Sequence, residues 1–222
     1  MIKTYIIPAF VYASFAVSSN AFAGEQPSTV VELFTSQGCS SCPPANEFVG
    51  GLADDDDKLV LSYGVTYWDY LGWEDTFGDP KYTLRQKEYD ASFEIGHVYT
   101  PQIVLNGAQH NSRYKASDIK ELKPLTPQET HVDIEDRDGR LSISSNADQV
   151  YLVRFTPGWQ KVSVKRGENG GRTLKVANVV NSLELVDEFG ITDIEIDKTQ
   201  AYAALVHDPQ SHEIIAASVL RP

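Results

Sequence analysis

Apolar positions along this chain follow two regimes. Up to about residue 125, short uninterrupted apolar runs alternate with stretches of helical periodicity. Residues 28–34 and 58–65 read as buried strands and 43–52 as a short helix. A longer helix over 81–93 is opened by Asp79-Pro80, an N-cap followed by a proline in the first turn. Residues 98–105 then make a third strand, Asn106-Gly107 a hairpin turn, 109–114 a fourth strand and 117–122 a closing helix. The order β-α-β-α-β-β-α predicts an α/β domain over residues 24–126. After Pro124 and Pro127 the pattern becomes one of short alternating strands, at 131–136, 140–145, 149–155, 161–166, 173–186, 193–197, 202–207 and 213–220, with Asp138-Gly139 as a tight turn. That spacing predicts an all-β, sandwich-like domain over residues 127–222.

The first 23 residues stand apart. Lys3 is their only charged residue, residues 5–17 are largely apolar, and Ala21-Phe22-Ala23 has the form of a cleavage site, so residues 1–23 read as a signal peptide. No cysteine follows that site to accept a lipid, and no later run reaches the roughly 18 apolar residues that a membrane-spanning helix needs. The expected location is the periplasm, an oxidising space in which disulfides persist. Without the leader the chain carries 18 basic and 31 acidic groups, a net charge of −13, which disfavours nucleic acid and anionic lipid as partners. The four acids Asp54 to Asp57 read as a solvated loop.

Against this background the two cysteines carry the chemistry. Cys39-Ser40-Ser41-Cys42 follows a strand-like run and stands at the edge of the first helix. A cysteine at a helix N-terminus has its thiol pKa lowered by free amides and the positive dipole end. Cys39 is then the exposed nucleophile, and Cys42, one turn further in, is the resolving thiol. Pro43 and Pro44 have no N–H, which leaves the amides of Ser41 and Cys42 as donors to the Cys39 sulphur. A static staple is the alternative, but a four-residue ring contributes only about 2 kcal/mol by loop entropy, whereas a bridge closing about 100 residues contributes nearer 5. Metal handling by copper or zinc is a third reading, weakened because one Cys-x-x-Cys provides two of the four ligands zinc takes and the chain after the leader has no methionine.

Three further features surround the pair. Thr100-Pro101 opens an apolar strand, where proline is confined to the first residue or an edge. Glu32 interrupts the apolar run Val30-Val31-Glu32-Leu33-Phe34, and burial would raise its pKa and suit it to take a proton from Cys42. The loop from Tyr67 to Phe77 is unusually aromatic, so Trp68, Tyr70 and Trp73 either wall a groove, with Asp69 orienting a polar group, or pack against the sheet. The tip Arg166-Gly167-Glu168-Asn169-Gly170-Gly171-Arg172-Thr173 gathers polar groups and reads either as a hairpin turn with surface charges or as an interdomain or substrate contact that reaches across to the dithiol face.

The stretch Val30-Val31-Glu32-Leu33-Phe34-Thr35-Ser36-Gln37-Gly38-Cys39-Ser40-Ser41-Cys42-Pro43-Pro44-Ala45 resembles the signature of an exported, thioredoxin-like family called domain of unknown function 1223. Residues 67–77, Val98-Tyr99-Thr100-Pro101-Gln102 and residues 166–173 resemble further motifs of that family, so the similarity runs over nearly the whole chain. The resemblance implies a thioredoxin-like α/β domain, a cis Thr100-Pro101 bond that offers backbone to an extended substrate, and a redox site at Cys39 and Cys42. It implies no cofactor and no established substrate. The expected function is thus a periplasmic thiol-disulfide oxidoreductase acting on a protein or small-molecule thiol or disulfide, with a periplasmic redox partner. The rival from another class is a non-enzymatic ligand- or protein-binding module with a structural disulfide.

Overall fold

The computed structural model describes residues 22–126 and 129–222. Most of the expected leader and the junction at residues 127–128 lie outside the described residues. The elements are β1 (Phe22–Ala23), β2 (Thr29–Thr35), α1 (Pro43–Gly50), β3 (Lys58–Gly64), α2 (Pro80–Ser92), β4 (Gln102–Leu105), β5 (Gln109–Asn111), α3 (Ala116–Glu121), β6 (Val132–Arg137), β7 (Arg140–Ser145), β8 (Val150–Ser163), β9 (Thr173–Val186), β10 (Gly190–Glu195), β11 (Ala201–His207) and β12 (Ile214–Leu220).

These elements do not divide into the expected thioredoxin-like α/β domain followed by a β-sandwich-like domain. One mixed sheet of eight strands, in the order β12-β11-β8-β9-β3-β2-β4-β5, spans both halves of the chain, and a smaller sheet has the order β1-β6-β7-β10. The joint is a parallel pairing of β3 with β9, at Ser62 and Val179. Strands of the C-terminal half complete the sheet edge that a self-contained helix-flanked core would have closed by itself.

A second difference explains the first. In place of the two expected strands 149–155 and 161–166, β8 runs through Pro157-Gly158 as one 14-residue strand paired with the 14-residue β9. The ladder shifts register between Thr156 and Trp159, and a bulge is where a strand can hold a proline. Beyond that bulge the β8–β9 ribbon lies against α1. A Cβ at Gly50 of α1 would overlap the Trp159 ring, so that ring rests directly on the helix backbone. Lys175 stands over the same ring, 5.6 Å from its centroid.

The central strands β2 and β3 are buried on both faces. On one face Val31 and Leu33 pack with Ala45 and Val49 of α1 and with Ile119 of α3. On the other, Val30 and Phe34 pack with Tyr63 of β3 and with Tyr82 and Tyr89 of α2. Helix α2 begins as its sequence dictates, with the Asp79 carboxylate accepting from the Lys81 amide at 2.8 Å. At the far end of the large sheet, Leu152, Tyr202, Ala204 and Val206 meet Val132, Ile134, Leu141 and Ile143 of the small sheet.

Candidate functional site

Cys39 and Cys42 are joined by a disulfide, with their Cα atoms 5.5 Å apart. Cys42 is the N-cap of α1, and Pro43 and Pro44 occupy its first turn, where a missing N–H breaks no helical bond. The surroundings of the pair differ from the expectation in two respects. Cys39 is 1 % exposed and Cys42 is fully buried, so the disulfide stands behind other groups rather than open to solvent. The Cys42 amide donates to the Cys39 carbonyl at 3.2 Å and not to the Cys39 sulphur. The polar group beside Cys39 Sγ is the Ser41 hydroxyl, at 3.3 Å.

Each side of the dithiol loop is closed by a different part of the chain. Ser41 Oγ reaches the Thr100 carbonyl at 3.5 Å, and the Thr100-Pro101 peptide bond is cis. Trp68 Nε1 donates to Thr100 Oγ1 at 2.7 Å, and a Cβ at Gly38 would stand 2.9 Å from the Trp68 Cβ, so the loop entering Cys39 runs directly over Trp68. Trp73 Nε1 donates to Gln37 Oε1 at 2.8 Å. Asp75 accepts from the Gln37 amide at 2.7 Å, and its own amide donates to Asp69 Oδ1 at 3.1 Å. Burial raises the pKa of both Asp69 and Asp75 above the ordinary carboxylate value. The aromatic loop therefore turns Trp68 toward Thr100 and Trp73 toward Gln37 of the dithiol loop, while Asp69 braces the loop itself through the Asp75 amide.

The remaining side is closed from far along the sequence. Asn169, fully buried, donates from Nδ2 to the carbonyls of Gln37 and Cys39 at 3.0 and 2.9 Å. Its Oδ1 accepts from Arg172 Nη1 at 2.6 Å. Glu168 Oε2 accepts from the Ser40 amide at 3.1 Å, and the Ser40 hydroxyl first, then that amide, hold the Glu168 carboxyl below its ordinary pKa.

Glu32 is not brought to this cluster. It shares the sheet face of Val30 and Phe34, which carries α2, whereas α1 and its N-cap Cys42 lie on the other face. Its carboxylate pairs with Arg85 Nε at 2.7 Å and accepts from the Tyr89 hydroxyl. Burial pushes its pKa up, but the Arg85 guanidinium overrides this and holds the carboxyl below its ordinary value, the reverse of the expected upward shift. Arg85 escaped the sequence reading. Its signal is the spacing i, i+3, i+4, i+7 of Tyr82, Arg85, Gln86 and Tyr89, a buried helical face that includes a cation. His97 is exposed, with Tyr99 as its ring neighbour.

Among solved structures, the chain is similar to a protein from Agrobacterium tumefaciens determined by X-ray crystallography, with 28 % identity and a TM-score of 0.66 over 89 % of this chain and 95 % of that one. It is similar in fold to HBP35 of Porphyromonas gingivalis, with 15 % identity and a TM-score of 0.50 over 88 % of this chain and 75 % of that one. No curated protein matches the sequence. Residues 30–216 match the profile of the family described as protein of unknown function (DUF1223), which takes in the dithiol loop, the aromatic loop and the 166–173 tip. The chain belongs to the DUF1223 family.

Proposed function

We propose that the protein is a thiol-disulfide exchange protein of the periplasm, exported by a cleaved leader, whose reacting bond is Cys39–Cys42. The observation that carries this reading is the four-residue ring at the start of α1: it links the chain's only two cysteines yet adds little to stability. In the reduced protein the Cys39 thiolate attacks a sulphur of a substrate disulfide. A mixed disulfide forms, and one substrate thiolate leaves. Cys42, as thiolate, then attacks Cys39 Sγ, which restores the ring and releases the second substrate thiolate. Two electrons pass to the substrate, and the reverse sequence oxidises a dithiol. The Ser41 hydroxyl, 3.3 Å from Cys39 Sγ, is the donor placed to stabilise the thiolate. The Thr100 carbonyl beside Ser41 is a main-chain acceptor for the backbone of an extended partner.

A binding module with a static disulfide is the second reading, and the burial of both cysteines favours it. Trapping separates the two. Under the exchange reading a Cys42→Ser variant accumulates mixed disulfides with thiol-bearing partners and a Cys39→Ser variant does not. Equal trapping, or none, favours the binding module.

A further inference from the structure

The tip of the β8–β9 ribbon lies on the dithiol loop, and the way it is attached is informative. Between Val164 and Leu174, which anchor its base at 2 % and 4 % exposure, Asn169 is the single buried residue and the others are exposed. The tip places no apolar side chain on the dithiol loop. It is held there by three hydrogen bonds to main chain, two from Asn169 Nδ2 to the carbonyls of Gln37 and Cys39 and one from the Ser40 amide to Glu168. Gly167, Gly170 and Gly171 leave its backbone free to change conformation. Apart from the Gly167 backbone, where a Cβ would stand 3.7 Å from the Cβ atoms of Leu71 and Trp73, the tip is fixed by these few polar contacts, and a segment so held opens far more readily than the core beneath it. The loop it holds carries a disulfide with both cysteines shut off from solvent, and a sulphur atom can exchange only when another sulphur reaches it along the S–S axis.

We propose that residues 165–173 are a cover over the dithiol, latched by Asn169, and that the cover lifts to admit a partner's sulphur to Cys39. The proposal rests on the exchange reading above. Asn169 acts through the loop that carries Cys39 and is therefore a positioning residue. Arg172 orients its amide through Oδ1, so that Nδ2 faces the two carbonyls.

The test is the rate at which the ring opens in the folded, full-length protein under excess water-soluble phosphine. The phosphine is oxidised to the phosphine oxide as the two thiols form, and the thiols are counted by alkylation and mass. Removal of two hydrogen bonds of ordinary net strength makes Asn169→Ala open about tenfold to a hundredfold faster than the unaltered chain. Arg172→Ala gives a smaller acceleration. Val206→Ala, a core truncation among the residues facing the small sheet, controls for general loss of stability and leaves the rate unchanged. An Asn169→Ala rate within about twofold of the unaltered chain, or an equal acceleration by Val206→Ala, overturns the cover. The exchange reading has its own readout: a ring that no thiol buffer opens reversibly sinks that reading and leaves the phosphine rates as a measure of the cover alone.

Discussion

Arg85 on α2 and Glu32 on β2 form an ion pair, Nε to Oε1 at 2.7 Å, that solvent barely touches, the two side chains being 1 % and 0 % exposed. The guanidinium also donates from Nη2 to the Tyr89 hydroxyl at 3.3 Å, meets His207 Nε2 at 3.1 Å, and stacks over the Tyr151 ring at 4.6 Å. One side chain thus ties α2 to β2, β8 and β11, elements drawn from both halves of the sequence. Loss of one partner leaves the other charge buried alone, so Arg85→Met or Glu32→Gln is expected to lower unfolding stability by about 3–5 kcal/mol. A double Glu32→Leu/Arg85→Met variant, with no buried charge left, is expected to lose less than Arg85→Met by itself. Urea denaturation measures all three.

His207 lies beside this pair and sets an acid limit. Its Nδ1 donates to the His212 carbonyl at 2.7 Å, which leaves Nε2 as the acceptor toward Arg85. Burial, and then the Arg85 charge against the partial compensation of Glu32, lowers the His207 pKa to about 4. Between pH 4 and 6.5 the unfolded chain binds a proton there that the folded chain refuses, so stability rises with pH across that window and is lost as pH falls through it. The depressed carboxyl of Glu32 acts in the same sense at lower pH. Unfolding stability is expected to drop by up to about 3 kcal/mol from pH 6.5 to 4, at about 1.4 kcal/mol per pH unit. A His207→Phe variant should lack that slope; a slope unchanged in the variant assigns it elsewhere.

Gly50 couples the helix that begins at the dithiol to the ribbon that covers it. A methyl group there would overlap the Trp159 ring, so the ring, and with it the ribbon that carries it, has to give way. Gly50→Ala is expected to cost about 1–3 kcal/mol, as overpacking does, although alanine is the better helix former. If the ribbon is what holds the tip in place, the same variant also opens the Cys39–Cys42 ring faster under phosphine. A stabilised Gly50→Ala chain would mean that Trp159 moves without resistance.

The carboxylate of Glu168 stands one residue from Cys39 and accepts from the Ser40 amide. In the reduced protein that charge opposes the Cys39 thiolate. In a Cys42→Ser background, Glu168→Gln is therefore expected to shift the alkylation pH profile of Cys39 to lower pH. A midpoint that stays put places the carboxylate too far out in solvent to act on the sulphur.

The sequence made much of this local structure legible, because its signals are local. The paired cysteines, the Asp79 N-cap and most strand limits could be read within windows of a few residues. What it hid are contacts between distant segments. Glu32 stands out as a lone carboxylate in an apolar strand, but its partners Arg85 and Tyr89 lie 53 and 57 residues away, and only they decide that its pKa goes down rather than up. Pro157-Gly158 has the composition of a turn and serves as a bulge, because β9 continues to supply a partner on either side of it. The pairing of β3 with β9, which makes one sheet of what reads as two domains, rests on a register between residues 62 and 179 that no periodicity announces. Residues 166–173 could be recognised as a polar tip, but the choice of Asn169 as the buried member depends on the carbonyls of Gln37 and Cys39, which it meets only in the fold.

The reduction potential of Cys39–Cys42 tests the redox reading most directly. A chain that begins at Gly24 is equilibrated in thiol buffers of graded potential and its free thiols are counted by mass. A reversible two-electron transition between about −270 and −120 mV is expected, the range in which dithiols of working exchange proteins lie. A bond that stays closed below about −300 mV contradicts it and makes the ring a fixed part of the fold.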